Sequence, residues 1–172
     1  MSVVIRHLPS KPSQNDIDLI IQLRKECGWG LDLVPEWLDL TARGLRINFF
    51  IETSNDSADS SDKPPVQAAG MISLVLEDTA DPDMASVANK TASVASLYVR
   101  PQFEGRGLGK AAMVFVEQFA RDKLEVEKLT LGVGASNEKV YGMYYRIGYR
   151  EFKERVEVHW SKEGMALMMK SI

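Results

Sequence analysis

Apolar residues along this chain follow two rhythms. Over residues 14–26, Ile17, Ile20, Ile21 and Leu23 gather on one side and charges take the other, which is the spacing of an amphipathic helix. Residues 108–124 repeat it through Leu108, Ala112, Phe115, Val116 and Phe119. Shorter helices are predicted over 35–43, with Pro35 suited to a first turn and Gly44 to a terminus, and over 137–147. Runs of strand character cover 3–7, 47–53, 66–77, 94–99, 128–133, 150–158 and 165–171. Segment 54–65 (SNDSADSSDKPP) has Ala58 as its one apolar residue and can bury nothing, so it reads as a mobile loop inserted within a domain. Residues 78–90 are a second polar connection.

The resulting order is β-α-α-β-β-β-α-β-α-β-β. Antiparallel hairpins at both ends and one β-α-β crossover in the middle call for an α/β fold. It has a mixed sheet with helices on both faces and strands 94–99 and 128–133 parallel. At 172 residues, a single domain over 1–172 is the expectation.

Charge and cysteine content remove several classes of function. Lys and Arg number 21 against 24 Asp and Glu, a net charge of −3, so there is no basic field for nucleic acid or anionic membrane. Cys27 is the single cysteine, which leaves no disulfide framework or thiolate metal cluster within one chain, and no metal is expected. The start, MSVVIRHLPS, lacks the apolar run of a signal peptide, and no stretch approaches the ~20 apolar residues of a membrane span. A cytoplasmic protein is the expectation.

The densest chemical signal is PQFEGRGLGKA, with glycines at 105, 107 and 109 between a strand and a helix. Glycine lets backbone N–H groups crowd a ligand, and a helix start adds unpaired donors and partial positive charge. Together they suit a pyrophosphate, with Arg106 and Lys110 at the rim. Two common nucleotide loops fail here. G-x-G-x-x-G read from Gly105 needs glycine where Lys110 stands. G-x-x-x-x-G-K-[ST] needs glycine and Ser/Thr where Glu104 and Ala111 stand.

The segment resembles instead the acetyl-CoA loop of the GNAT superfamily of N-acetyltransferases, [Q/R]-x-x-G-x-[G/A] after a strand ending Val-x-Pro. Val99-Arg100-Pro101 and Gly107-Leu108-Gly109 match it, and Glu104 departs from the usual Gln or Arg. Downstream, NEKVYGMYYRIGY resembles the family's N-x-x-A-x-x-x-Y-x-x-x-G-[F/Y]. Asn137, Tyr144, Gly148 and Tyr149 are in register, and Val140 stands at the small position. The resemblance implies a central mixed sheet of about seven strands flanked by four helices, with the central parallel strands splayed. Acetyl-CoA would be the co-substrate. Its pantetheine arm would pair with the backbone of Leu97, Tyr98 and Val99, and its pyrophosphate would rest on the amides of Gly105, Arg106, Gly107, Leu108, Gly109 and Lys110. Asn137 would touch the arm, a role compatible with capping its helix.

The same resemblance gives Tyr144 the role of general acid. A phenol of pKa ~10 stays neutral and can donate to a departing thiolate whose thiol has pKa ~8.5. Strand 94–99 has no carboxylate to act as base, so the base stays unassigned between water and Glu36, Glu77, Asp78 or His159. The resemblance also implies an amine acceptor. Trp29, Glu36 and Trp37 are candidates to meet it by cation–π and charge contacts, although helix packing accounts for the tryptophans equally well. The competing reading is a non-catalytic acyl-CoA-binding or regulatory domain of the same fold. Residues 165–171 form an apolar candidate edge through which two copies could pair as a homodimer.

Overall fold

A computed structural model describes residues 2–54 and 66–172. The elements are β1 (Ser2–His7), α1 (Gln14–Cys27), α2 (Val34–Ala42), β2 (Arg46–Ser54), β3 (Gln67–Val75), β4 (Thr91–Val99), a 3-10 turn (Pro101–Phe103), α3 (Leu108–Leu124), β5 (Lys128–Gly134), α4 (Glu138–Arg146), β6 (Arg150–Val158) and β7 (Ser161–Ser171). The strands form one mixed sheet in the order β1-β2-β3-β4-β5-β7-β6, with β4 and β5 parallel, as the element order required. The inserted loop expected over 54–65 lies, beyond Ser54, outside the described residues.

Local chemistry sets the element ends. Ser13 Oγ accepts the Asp16 N–H at 3.2 Å and starts α1, while Asp16 lies in the first turn where the helix dipole favours an anion. Gly28 ends α1 with φ +76°, donating its N–H to the carbonyls of Arg24 and Lys25.

The chain divides into two compact units, Met1–Leu74 with Ser96–Phe115, and Val75–Ala95 with Val116–Ile172. Strand β4 and helix α3 each run from one unit into the other. The first unit packs Leu8, Ile20, Leu23, Val34, Trp37, Phe50 and Met71 into a core that Tyr98 flanks. The second buries Leu129, Leu131, Tyr149, Ala166 and Met168. No helix among the described residues is long and apolar enough to cross a membrane.

The C-terminal strand is not an edge. β7 pairs with β5 on one side and β6 on the other, because its apolar residues are used on the inside of the sheet. The outer strand is β6, whose pairing with β7 slips register at three places. The apolar edge expected at 165–171 is therefore covered within the chain.

Gly70 in β3 marks a close approach to β4. A Cβ there would lie on the Tyr98 carbonyl oxygen and 3.0 Å from Val99 Cα, both backbone atoms that cannot swing aside. Gly70→Ala is expected to cost about 3 kcal/mol, read as a lower denaturant midpoint at unchanged slope. An unshifted midpoint would show that β3 and β4 are looser than this.

Candidate active site

The end of β4 is tied down before the glycine turn begins. The Arg100 N–H donates to the Ala69 carbonyl at 2.8 Å. Its guanidinium grips both oxygens of Glu26 on α1, at 2.7 and 2.8 Å, and donates to the Ala68 carbonyl at 2.7 Å. Arg100 thus fastens α1, β3 and β4 at the point where the chain leaves for the turn. A concavity of about 530 Å³ opens there, lined by Gln22, Glu26, Tyr98, Arg100, Pro101 and Gln102.

The turn itself is exposed backbone on a buried anchor. Gly105 and Gly107 have φ of +74° and +77°, where residues with a side chain are strained, and nothing lies within 4 Å of where their Cβ atoms would be. Phe103 and Leu108 bury their side chains on either side, while Glu104, Arg106 and Lys110 are exposed and the Arg106 guanidinium sits 5.7 Å from the Phe103 ring. The first backbone bond of α3 runs from the Ala111 N–H to the Gly107 carbonyl at 2.9 Å. The amides of Leu108, Gly109 and Lys110 precede it and have no helical acceptor, and the helix dipole adds roughly half a positive charge.

Strand β4 loses its regularity just upstream. Its parallel ladder with β5 runs from Thr91↔Lys128 to Val94↔Leu131, although both strands continue further. Ser96 then adopts φ +57°, rare for a residue with a side chain and rarer within a strand. Leu97, Tyr98 and Val99 follow, all half-buried. A sequence shows no mark of this kink, since serine carries none of the turn signals of glycine or proline.

In the second unit, Asn137 caps α4, with its Oδ1 accepting the Val140 N–H at 3.3 Å, and its side chain is exposed. Three tyrosines ride on α4. Tyr141 donates its hydroxyl to Glu151 at 2.7 Å, and Tyr145 is exposed with the Arg150 guanidinium 3.8 Å over its ring. Tyr144 is buried edge-on against Tyr149, with 5.9 Å between ring centroids, and its hydroxyl has no hydrogen-bond partner among the described residues. Burial pushes its pKa up to about 12, so the phenol stays protonated at any working pH.

The carboxylates weighed as bases are occupied elsewhere or in solvent. Glu77 accepts the Val87 N–H at 3.0 Å, and Asp78 accepts those of Ala80 and Asp81 at 3.0 and 3.1 Å, so both organise their own loop. Glu36 and His159 are exposed.

Of the acceptor candidates, Trp37 is buried and Trp29 is half exposed beside it, with 5.9 Å between ring centroids. Sequence reasoning missed what surrounds Trp37. Arg24 and Arg46 are 1% and 4% exposed, with guanidiniums 5.9 and 4.1 Å from that ring. Helical arithmetic could have found Arg24, which follows Ile17 and Ile20 on the apolar side by seven and four positions. Arg46 lies one residue outside the predicted strand, and only the fold brings it to Trp37.

Comparison with known proteins agrees with this architecture. The model of the acetyltransferase (GNAT) family matches residues 28–149. The N-acetyltransferase 9-like protein of Nematostella vectensis is 28% identical over 123 residues, covering 72% of this chain and 57% of that protein. The chain thus spans little more than half the length of that relative. Among solved structures, the spermidine N-acetyltransferase of Vibrio cholerae in complex with CoA and spermine has a TM-score of 0.71 at 15% identity, covering 98% of this chain and 95% of that one. The IAA acetyltransferase from Bacillus cereus has a TM-score of 0.66 at 15% identity, covering 99% and 100%. At such identities these two likenesses concern the fold.

Proposed function

Because the chain belongs to the acetyltransferase (GNAT) family, we propose that it transfers an acetyl group from acetyl-CoA to a primary amine of a small molecule or peptide. The observation that carries the reading is the glycine turn at the head of α3, exposed at Gly105, Arg106 and Gly107, with the amides of Leu108, Gly109 and Lys110 ahead of the first helical hydrogen bond. Those amides hold the diphosphate, and Arg106 and Lys110 add charge. The backbone of Leu97, Tyr98 and Val99 pairs with the pantetheine arm, and Asn137 touches the arm while capping α4. We read the chain as one transferase domain and place it in the cytoplasm.

The reaction is a direct displacement. The amine nitrogen attacks the thioester carbonyl carbon, a C–N bond forms, and the C–S bond breaks. Tyr144 gives its hydroxyl proton to the departing sulfur and regains one from water, and the amine proton leaves to water, since β4 offers no carboxylate to take it. That same lack favours a second reading, a domain that binds acyl-CoA without turning it over.

Two measurements separate the readings. Acetyl-CoA at about 100 times its Kd should stabilise the fold by about 2.7 kcal/mol, seen as a higher Tm. A panel of amines should then include one that releases free CoA thiol at a rate set by its concentration. Stabilisation without acceptor-dependent thiol supports the binding domain. No stabilisation by acetyl-CoA overturns both.

A further inference from the structure

Arg24 and Arg46 form a buried cationic pair whose polar partners are all neutral. Arg46 donates from Nε to Asn48 Oδ1 at 3.1 Å and from Nη2 to Ser96 Oγ at 2.6 Å. Arg24 donates from Nη2 to the Ser96 carbonyl at a long 3.4 Å, and its Nε is buried with no partner at all. Among the described residues neither guanidinium has a carboxylate within ion-pair distance. The nearby acids are spent or remote. Glu26 belongs to Arg100 and Gln22, Asp39 belongs to Arg43, and exposed Glu36 reaches Arg46 only through space.

Such a pair is costly to keep. Two like charges out of water repel each other, and burial with the neighbouring Arg24 lowers the Arg46 pKa to about 9. The Trp37 face returns part of that cost to both, and the Tyr98 ring, 5.6 Å from Arg24, returns some more. An anion between the two forks would supply the missing counter-charge and engage the orphaned Nε.

The pair is also held in place. Asn48 Oδ1, which receives Arg46, also accepts the Ser73 hydroxyl at 2.8 Å, and Asn48 Nδ2 donates to Thr41 Oγ1 at 2.8 Å. Thr41 in turn donates to the Trp37 carbonyl at 2.7 Å. Both guanidiniums converge on Ser96, the residue before the backbone assigned to the thioester arm. Tyr98, which packs on Arg24, also lines the concavity at the end of β4.

We infer that the acceptor is an amine that also bears a carboxylate, and that Arg24 and Arg46 hold this carboxylate. Planar forks match a carboxylate in shape and charge, whereas a polyamine would meet two buried cations. The inference rests on the acetyltransferase reading for the amine. The anion site itself stands on the arginines alone.

The test uses the full chain and acceptors matched in length. 4-Aminobutyrate is compared with 1,4-diaminobutane, and glycyl-aspartate amide with glycyl-asparagine amide, so that a free amino acid and an acidic peptide side chain are told apart. The carboxylate member of at least one pair should show kcat/KM at least 10-fold higher. Arg46→Met, which fills similar volume without charge, should erase that preference through KM while leaving the acetyl-CoA Kd within twofold. Arg46→Lys, which keeps the charge and loses the fork, covers the case in which the methionine variant melts early, and should retain only part of the preference. In the wild type, the carboxylate should also move the Arg24 Nε–H resonance. A shifted resonance with no acetyl transfer to any amine keeps the anion site and removes the transferase reading. An unmoved resonance, equal use of the two members in both pairs, or a preference that survives both Arg46 variants overturns the inference.

Discussion

Replacing Tyr144 by phenylalanine should lower kcat by about 10²–10³-fold, the range for loss of a positioned proton donor, and leave the acetyl-CoA Kd within about twofold. The asymmetry follows from what the hydroxyl does. It makes no hydrogen bond among the described residues, so its removal breaks none, and the ring still fills the space beside Tyr149. The reacting sulfur gains negative charge only as the C–S bond breaks, so the donor acts mainly at that stage. Because the protonated form is the active one, activity owed to Tyr144 is present below its pKa and lost as pH rises through it. Burial moves that pKa up to about 12, so the wild-type profile should show no alkaline limb from this group below pH 10. Any limb on the acid side should follow protonation of the acceptor amine and persist in the variant. Tyr141→Phe, which removes only the bond to Glu151, is the control and should turn over normally. Unchanged kcat in Tyr144→Phe would take the residue out of the mechanism.

Gly107→Val should weaken acetyl-CoA binding by about 30- to 100-fold, measured by calorimetry, while kcat at saturating cofactor stays close to normal. Two effects add. Holding an L residue at φ +77° costs roughly 1–2 kcal/mol, most of all for a branched side chain, and the turn will shift to relieve it. The new methyl groups also project into the open space through which the diphosphate must approach the amides of Leu108–Lys110. The fold should tolerate the change, because a Cβ at this position touches nothing within 4 Å. Unaltered affinity would mean that the diphosphate is held elsewhere, and with it the central assignment would fall.

The sequence was legible where local chemistry decides structure. The alternating glycines, the 3.6-residue rhythm of α1 and α3, and the asparagine at the head of α4 each carry their own explanation, and all appear where expected. What was hidden depends on partners distant along the chain. Arg24 reads as one more charge on a helix until β4 brings Ser96 to it, 72 positions away. Arg100 reads as a residue between valine and proline until Glu26 meets it from α1. β7 reads as an exposed apolar strand, because nothing within it tells that β6 will return to cover it. The kink at Ser96 is imposed by its surroundings and has no compositional trace.

The slips along β6 bear on how copies of this chain behave when crowded. A visiting strand needs an even comb of amides and carbonyls to dock against. The outer row here shifts step between Glu151 and Lys153, again before Val156, and again before Val158. It also presents Arg150, Glu151, Glu154, Arg155 and Glu157 to water, charges that a docking strand would have to strip of solvent. Edge-to-edge extension of the sheet into a fibre is therefore obstructed along that margin.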